Sequence, residues 1–233
     1  MEKLAKASGS SGALKVGAMD CGKNDDEARF CKKKGIDIDD LPQFAFVVDG
    51  KANLYPADDT DYSAKAFHTF CMENMPKTLV KNINHVAGLQ EKLLDPLLAR
   101  NAKQKSSILL LTDKYETSSL YYGLAYKYRS SFLFGESRAK NLNVAKEFGV
   151  KKYPLLLALV PKGKSQETYS DNFDIIRYDG SLKDKPISDW IDRIAKKVEE
   201  NINSSSSRRR ASQSENNRES NRERQRRRQE YGL

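Results

Sequence analysis

Three cysteines stand among 233 residues, Cys21, Cys31 and Cys71, and no two are spaced as C-x-x-C. Histidine is scarcer still, with only His68 and His85. Together they nearly exhaust the residues available for nucleophilic or metal chemistry, and no cofactor or metal is expected. No apolar run approaches the roughly 20 residues that a membrane-spanning helix needs. The opening residues Met1 to Ala7 hold no apolar stretch of the kind a secretory signal carries, so none is read there.

Charge is plentiful but uneven. Lys and Arg number 41 against 32 Asp and Glu, a net charge of +9. From Asn201 to Leu233 nine arginines face four glutamates, so this last stretch supplies more than half of the excess. The length allows one large or two small domains.

Hydrophobic periodicity and turn residues divide the chain. Met1 to Ala7 reads as the end of a helix, and Ser8 to Gly12 as a loop. Leu14 to Asp20 alternates well enough for a strand. Asp25 or Asp26 can cap a helix that runs through Lys34 and turns Ala28 and Cys31 inward. Leu41-Pro42 precedes a strand ending at Val48, Asp49-Gly50 forms a hairpin turn, and 52–55 returns as a short strand. A helix over 63–75 faces a core with Ala66, Phe67, Phe70 and Cys71.

A second pass opens at Lys77. Strands are predicted over 78–83, 107–112, 131–135, 155–160 and 174–178, with helices over 85–94, 117–128, 142–148 and 185–202. Leu142, Ala145 and Phe148 share one face of the third helix, and Gly149 stops it. Tyr153-Pro154 then forces an extended bend ahead of the six apolar residues Leu155 to Val160, a strand buried on both faces. Ile187, Trp190, Ile191, Ile194 and Val198 mark the apolar face of the last helix. Tyr121, Tyr122, Tyr126 and Tyr128 crowd one helix, as core rings or as a surface for extended peptides.

The order β-α-β-α-β-α-β-β-α, with a helix, Gly-Val and an X-Pro ahead of a buried strand, resembles the thioredoxin superfamily. Within it the chain is similar to the protein disulfide isomerases and to the thioredoxin-containing J-domain co-chaperones. Phe30-Cys-Lys-Lys-Lys-Gly-Ile before Pro42 parallels Ala145-Lys-Glu-Phe-Gly-Val before Pro154, so the resemblance implies tandem α/β domains. Residues 1–76 read as the C-terminal part of a first domain lacking its C-x-x-C segment, as in an N-terminally truncated piece. Residues 77–202 read as a complete second domain, and 203–233 as a disordered Arg/Ser-rich tail.

The resemblance also implies sites. Pro42, Tyr153 and Pro154 fall on cis-proline loops. Cys21 and Cys31 either form a structural disulfide, as matching pairs do in some members, or remain small buried residues. The position of the redox thiols reads Thr112-Asp-Lys-Tyr-Glu-Thr-Ser118, without a thiol, which implies a redox-inactive module rather than an enzyme. Tyr115 and Tyr153 are the residues expected to touch a client. A zinc site from Cys21, Cys31, His68 and Cys71 is disfavoured, since their helices should cover opposite faces of the sheet.

The implied function is a non-catalytic module of a protein-folding factor in the endoplasmic reticulum lumen, binding unfolded or partner polypeptides. A cytoplasmic or nuclear protein whose tail contacts RNA or an acidic surface is the alternative reading. Arg209-Arg210-Ala211-Ser212 resembles a basophilic kinase site, which makes Ser212 the candidate for phosphorylation. Asn203-Ser-Ser205 fits a glycosylation sequon, which applies only to a secretory protein.

Overall fold

A computed structural model describes residues 14–56, 61–99, 101–162 and 172–200. The opening helix and loop, the tail, Ser212 and the sequon at Asn203 lie outside the described residues. The chain divides into two compact units, Met1–Asp189 and Trp190–Leu233.

The first unit contains two sheets. The smaller pairs β1 (Ala45–Val48) with β2 (Lys51–Leu54), antiparallel, in the register Val48↔Lys51 and Phe46↔Asn53. Asp49 and Gly50 join them with positive φ at both positions, 49° and 74°, the conformation of a two-residue hairpin turn. Before the hairpin stands helix α1 (Asp25–Lys33), and after it helix α2 (Ala64–Glu73). Ser63 caps α2 through the Ala66 amide. Tyr55 and Phe67 form a small aromatic core with Val16, Phe44 and Phe70 packed around it.

Two expectations for this region are corrected. Helix α1 is capped by Asn24, whose side chain accepts from the Asp26 and Glu27 amides, and not by an aspartate. Asp25, Asp26 and Glu27 instead fill its first turn, where negative charge suits the helix dipole. Residues 14–20 form no strand. A strand needs a neighbour to complete its ladder, and no described residue pairs with this segment.

The larger sheet has the order β3-β5-β4-β6-β7, built from β3 (Val80–Asn82), β4 (Ser106–Thr112), β5 (Phe132–Arg138), β6 (Leu155–Pro161) and β7 (Phe173–Arg177). The first three are mutually parallel, while β6 and β7 run antiparallel. Helices α3 (beginning Val86–Leu89), α4 (Ser119–Lys127) and α5 (Leu142–Glu147) connect them. Residues 184–200 are helical, and Ile187, Trp190, Ile191, Ile194 and Val198 along them are buried. This strand order and direction is the thioredoxin-like fold.

Alternation along the strands sorts the interior. Leu109, Leu111, Leu157 and Leu159 pack with Leu89, Leu93 and Leu97 of α3 and with Val144 and Phe148. The inward face of α5 is therefore Val144 and Phe148, an i, i+4 pair, while Leu142 is exposed. The three-residue spacing of Leu142, Ala145 and Phe148 fits a helix as well as the four-residue pair does, and only packing decides between them. Gly135 lets α3 approach β5, since a Cβ there would stand 2.5 Å from Leu93 Cδ1.

Helix α3 runs further than its apolar pattern suggests, through a π turn (Gln90–Leu94) into a last segment (Asp95–Leu98). Pro96 has no N–H to donate to the carbonyl four residues back, and the ladder widens just ahead of it. At its other end His85 caps the helix, Nδ1 accepting from the Gly88 amide at 2.8 Å.

The hairpin turn meets α4 through polar groups. The Tyr126 hydroxyl accepts from the Asp49 amide at 3.0 Å and donates to Asp49 Oδ1 at 2.8 Å. Arg129 bonds the same carboxylate oxygen at 3.2 Å and lies 4.0 Å over the Tyr126 ring.

Leu157 is completely buried at the centre of the sheet, so Leu157→Ala should cost about 2–5 kcal/mol in chemical denaturation. A loss below 1 kcal/mol, on the order of a surface substitution, would contradict the packing described. Tyr126→Phe deletes both bonds to Asp49 and should cost no more than about 1 kcal/mol, because the contact is solvent-exposed. A double-mutant cycle with Asp49→Ala should give a coupling in the same range.

Candidate functional site

The loop that follows β4 supplies the candidate site. The ladder pairs Leu111 with Leu155 and Thr112 with Arg138, so the ends of β4 and β5 and the start of β6 meet at one edge of the sheet. The Tyr153–Pro154 bond just before β6 is cis, as is Leu41–Pro42 before β1. Pro154 therefore stands beside residues 112–118. Ser118 ends that loop by capping α4, its hydroxyl accepting from the Tyr121 amide at 3.3 Å.

A charged pair beneath the loop holds its shape. Glu136 on β5 is buried. Its Oε2 accepts from the Thr117 hydroxyl and, at 3.1 Å, from Arg138. Oε1 lies 3.0 Å from the Arg138 guanidinium, an ion-pair contact without directed hydrogen-bond geometry. Arg138 also donates to the Lys114 carbonyl and, at 3.1 Å, to Thr117 Oγ1. One guanidinium thus ties both arms of the loop to the sheet and neutralises the carboxylate that burial would otherwise penalise. Sequence reasoning did not single out Glu136, Arg138 or Thr117. The signal that could have found Glu136 is a charge inside an otherwise apolar strand, Phe132-Leu-Phe-Gly-Glu136.

Tyr121 lies deeper on the same side. Its hydroxyl donates to the Gly135 carbonyl at 2.6 Å and lies 3.1 Å from that of Ile108, bridging β5 and β4. Burial pushes its phenol well above the ordinary value, and the Glu136 charge adds to the rise. Of the four tyrosines on and just after α4, Tyr121 and Tyr128 are buried while Tyr122 and Tyr126 are half-buried.

The two residues expected to touch a client differ in their surroundings. Tyr115 is 93% exposed at the tip of the loop. Tyr153 is half-buried, its ring packed against the leucine core. Lys152 and Pro154 on either side of it are exposed. What the site offers is one projecting ring, a cis-proline turn and backbone, with no cysteine between Thr112 and Ser118.

The cysteines lie elsewhere. Cys21 and Cys31 form a disulfide with Cα atoms 6.0 Å apart, linking a turn to the last turn of α1. Cys31 is the only buried residue of that helix, so the crosslink replaces the packing that α1 otherwise lacks. Cys71 is half-buried, and burial pushes its thiol up, which leaves little thiolate at neutral pH. Among the described residues no cluster of potential ligands could hold a metal ion.

No family model matches the chain. A Dictyostelium discoideum protein named "Putative protein disulfide-isomerase" is 25% identical over 190 residues, 80% of this chain. The chain spans 41% of that relative's length. Among solved structures, ERdj5 (form II) aligns at 14% identity with a TM-score of 0.49, over 84% of this chain and 24% of that one. A poplar thioredoxin h aligns at 14% identity with a TM-score of 0.35, over 50% of this chain and 96% of its own. The strand order and the sequence relative agree: the chain has a thioredoxin-like fold and is similar to a disulfide isomerase-like protein.

Proposed function

We propose that the chain is a redox-inactive, thioredoxin-like binding module of a disulfide isomerase-like folding factor, and that it holds extended segments of unfolded polypeptide. The observation that carries this reading is the pairing of a cis-proline loop with a neighbouring loop, 112–118, that has no thiol. Dithiol–disulfide exchange needs an attacking thiolate beside that proline, and Cys21 and Cys31 are instead joined to each other in a disulfide between a turn and α1. Backbone groups next to a cis-proline turn can pair with a strand of almost any sequence, which suits a client without a defined motif.

The organisation follows the same reading. On this reading residues 1–76 belong to one thioredoxin-like domain and residues 77–202 to a second. An oxidising compartment such as the endoplasmic reticulum lumen is favoured by the Cys21–Cys31 disulfide and by the name of the relative. No helix of the described residues is long and apolar enough to cross a membrane.

Two measurements test the proposal. In an insulin-reduction assay with dithiothreitol the full chain should match the buffer blank. Turnover that disappears in Cys21→Ser would mean that the Cys21–Cys31 pair is catalytic. Titrating a labelled, unfolded client should show weaker binding after Tyr115→Ser, with Tyr153→Ser adding a smaller loss because half of its ring is spent on the core. Equal affinities at unchanged melting temperature would remove loops 112–118 and 152–155 as the binding site.

A further inference from the structure

The ring of Tyr115 is almost wholly exposed, so its direction is set by the backbone beneath it. Two bonds to one guanidinium bracket that backbone. On the near side the Lys114 carbonyl accepts from Arg138 Nη1. This carbonyl shares a planar peptide unit with the Tyr115 amide, so holding one orients the other. On the far side Thr117 Oγ1 accepts from Arg138 Nη2 at 3.1 Å and donates to Glu136 Oε2. The strand ends below are closed by further bonds. The Lys114 amide donates to Thr112 Oγ1 at 3.1 Å, and the Ala139 amide donates to the Thr112 carbonyl at 2.8 Å.

Stability alone does not account for a charged pair at this place. Glu136 is buried and the Arg138 side chain is only 20% exposed. Removing two charges from water is costly, and apolar side chains of similar volume often serve a fold as well or better. What an apolar pair could not supply is donors aimed upward. A guanidinium is a rigid planar fork, able to reach two separate acceptors while its remaining N–H groups face a carboxylate. Here Glu136 takes that carboxylate role, at 3.1 Å through Oε2, and the two acceptors are the loop positions just before and two after Tyr115.

We infer that Arg138, oriented by Glu136, is a positioning residue of the client site: it fixes the base from which Tyr115 projects. The inference rests on the reading of loops 112–118 and 152–155 as that site. A client meeting a loop already in place does not have to supply the ordering of it, and binds more tightly for that reason. Arg138 lies under the loop and acts through Lys114 and Thr117 rather than on the client.

The test uses the full chain. Arg138→Lys keeps the positive charge beside Glu136 but replaces the fork with a point charge. Amide order parameters over 113–117, measured by NMR without client, should fall from about 0.85 towards 0.6. Fluorescein-labelled, carboxymethylated insulin B chain should then bind about three- to tenfold more weakly in an anisotropy titration. In a Tyr115→Ser background the same substitution should change the affinity no further, because the ring it positions is gone. Thr117→Val removes one tie only, should act in the same direction, and decides the matter if the lysine variant fails to fold. A loop that stays rigid in the folded variants overturns the proposal. So does an equal loss from Arg138→Lys with and without Tyr115, which marks a merely structural role. Weaker binding in Tyr115→Ser but unchanged binding in Arg138→Lys overturns the positioning role while leaving the client site standing. Unchanged binding in Tyr115→Ser removes the client site at this loop, and the role of Arg138 with it.

Discussion

The antiparallel pairing of β4 with β6 is the constraint on which the larger sheet depends. It places two almost wholly apolar strands side by side, so every residue between Ile108 and Leu111 has leucine or alanine opposite it. Their outer edges then take β5 and β7, and both faces of the resulting sheet must be covered. The candidate site follows from the same pairing, because the register that joins Leu111 to Leu155 brings the loop after β4 next to the cis-proline. A shift of one residue would turn the leucines to the opposite face and separate the two loops.

Within the five-stranded sheet the elements were legible because their patterns are strong. Uninterrupted apolar runs, a Gly at the end of α5 and an X-Pro before β6 specify strand, stop and bend with little competition. The hairpin of β1 and β2 was equally clear from Asp49-Gly50. Residues 14–20 show the limit of such reading. Alternation there describes a strand's side chains but says nothing about the neighbour its backbone needs, and without one the segment stays irregular. Helix α5 shows another limit, since spacings of three and four both fit one turn, and the choice of Val144 over Leu142 is made by the leucines below.

The site itself was read in outline. Its loops could be placed by resemblance, but the Glu136–Arg138 pair could not, because two residues two apart on a strand carry no sign of being joined through a third element. Thr117 and the Lys114 carbonyl belong to a loop that sequence treats as unconstrained. In the structure this loop is tied at both ends, and Tyr115 projects from a fixed base.

The buried hydroxyl of Tyr121 has a consequence for alkaline conditions. Its phenol bridges the adjacent parallel strands β4 and β5 and is kept neutral by burial and by the nearby Glu136 charge. In the unfolded chain the same phenol ionises near its ordinary value of about 10. A raised folded value means that the stability it contributes is complete below that point. It is drawn down as pH climbs from there towards the folded value, because the unfolded chain gives up the proton first. In a spectrophotometric titration Tyr121 would therefore report as a late tyrosine, its phenolate absorbance appearing together with the loss of the sheet.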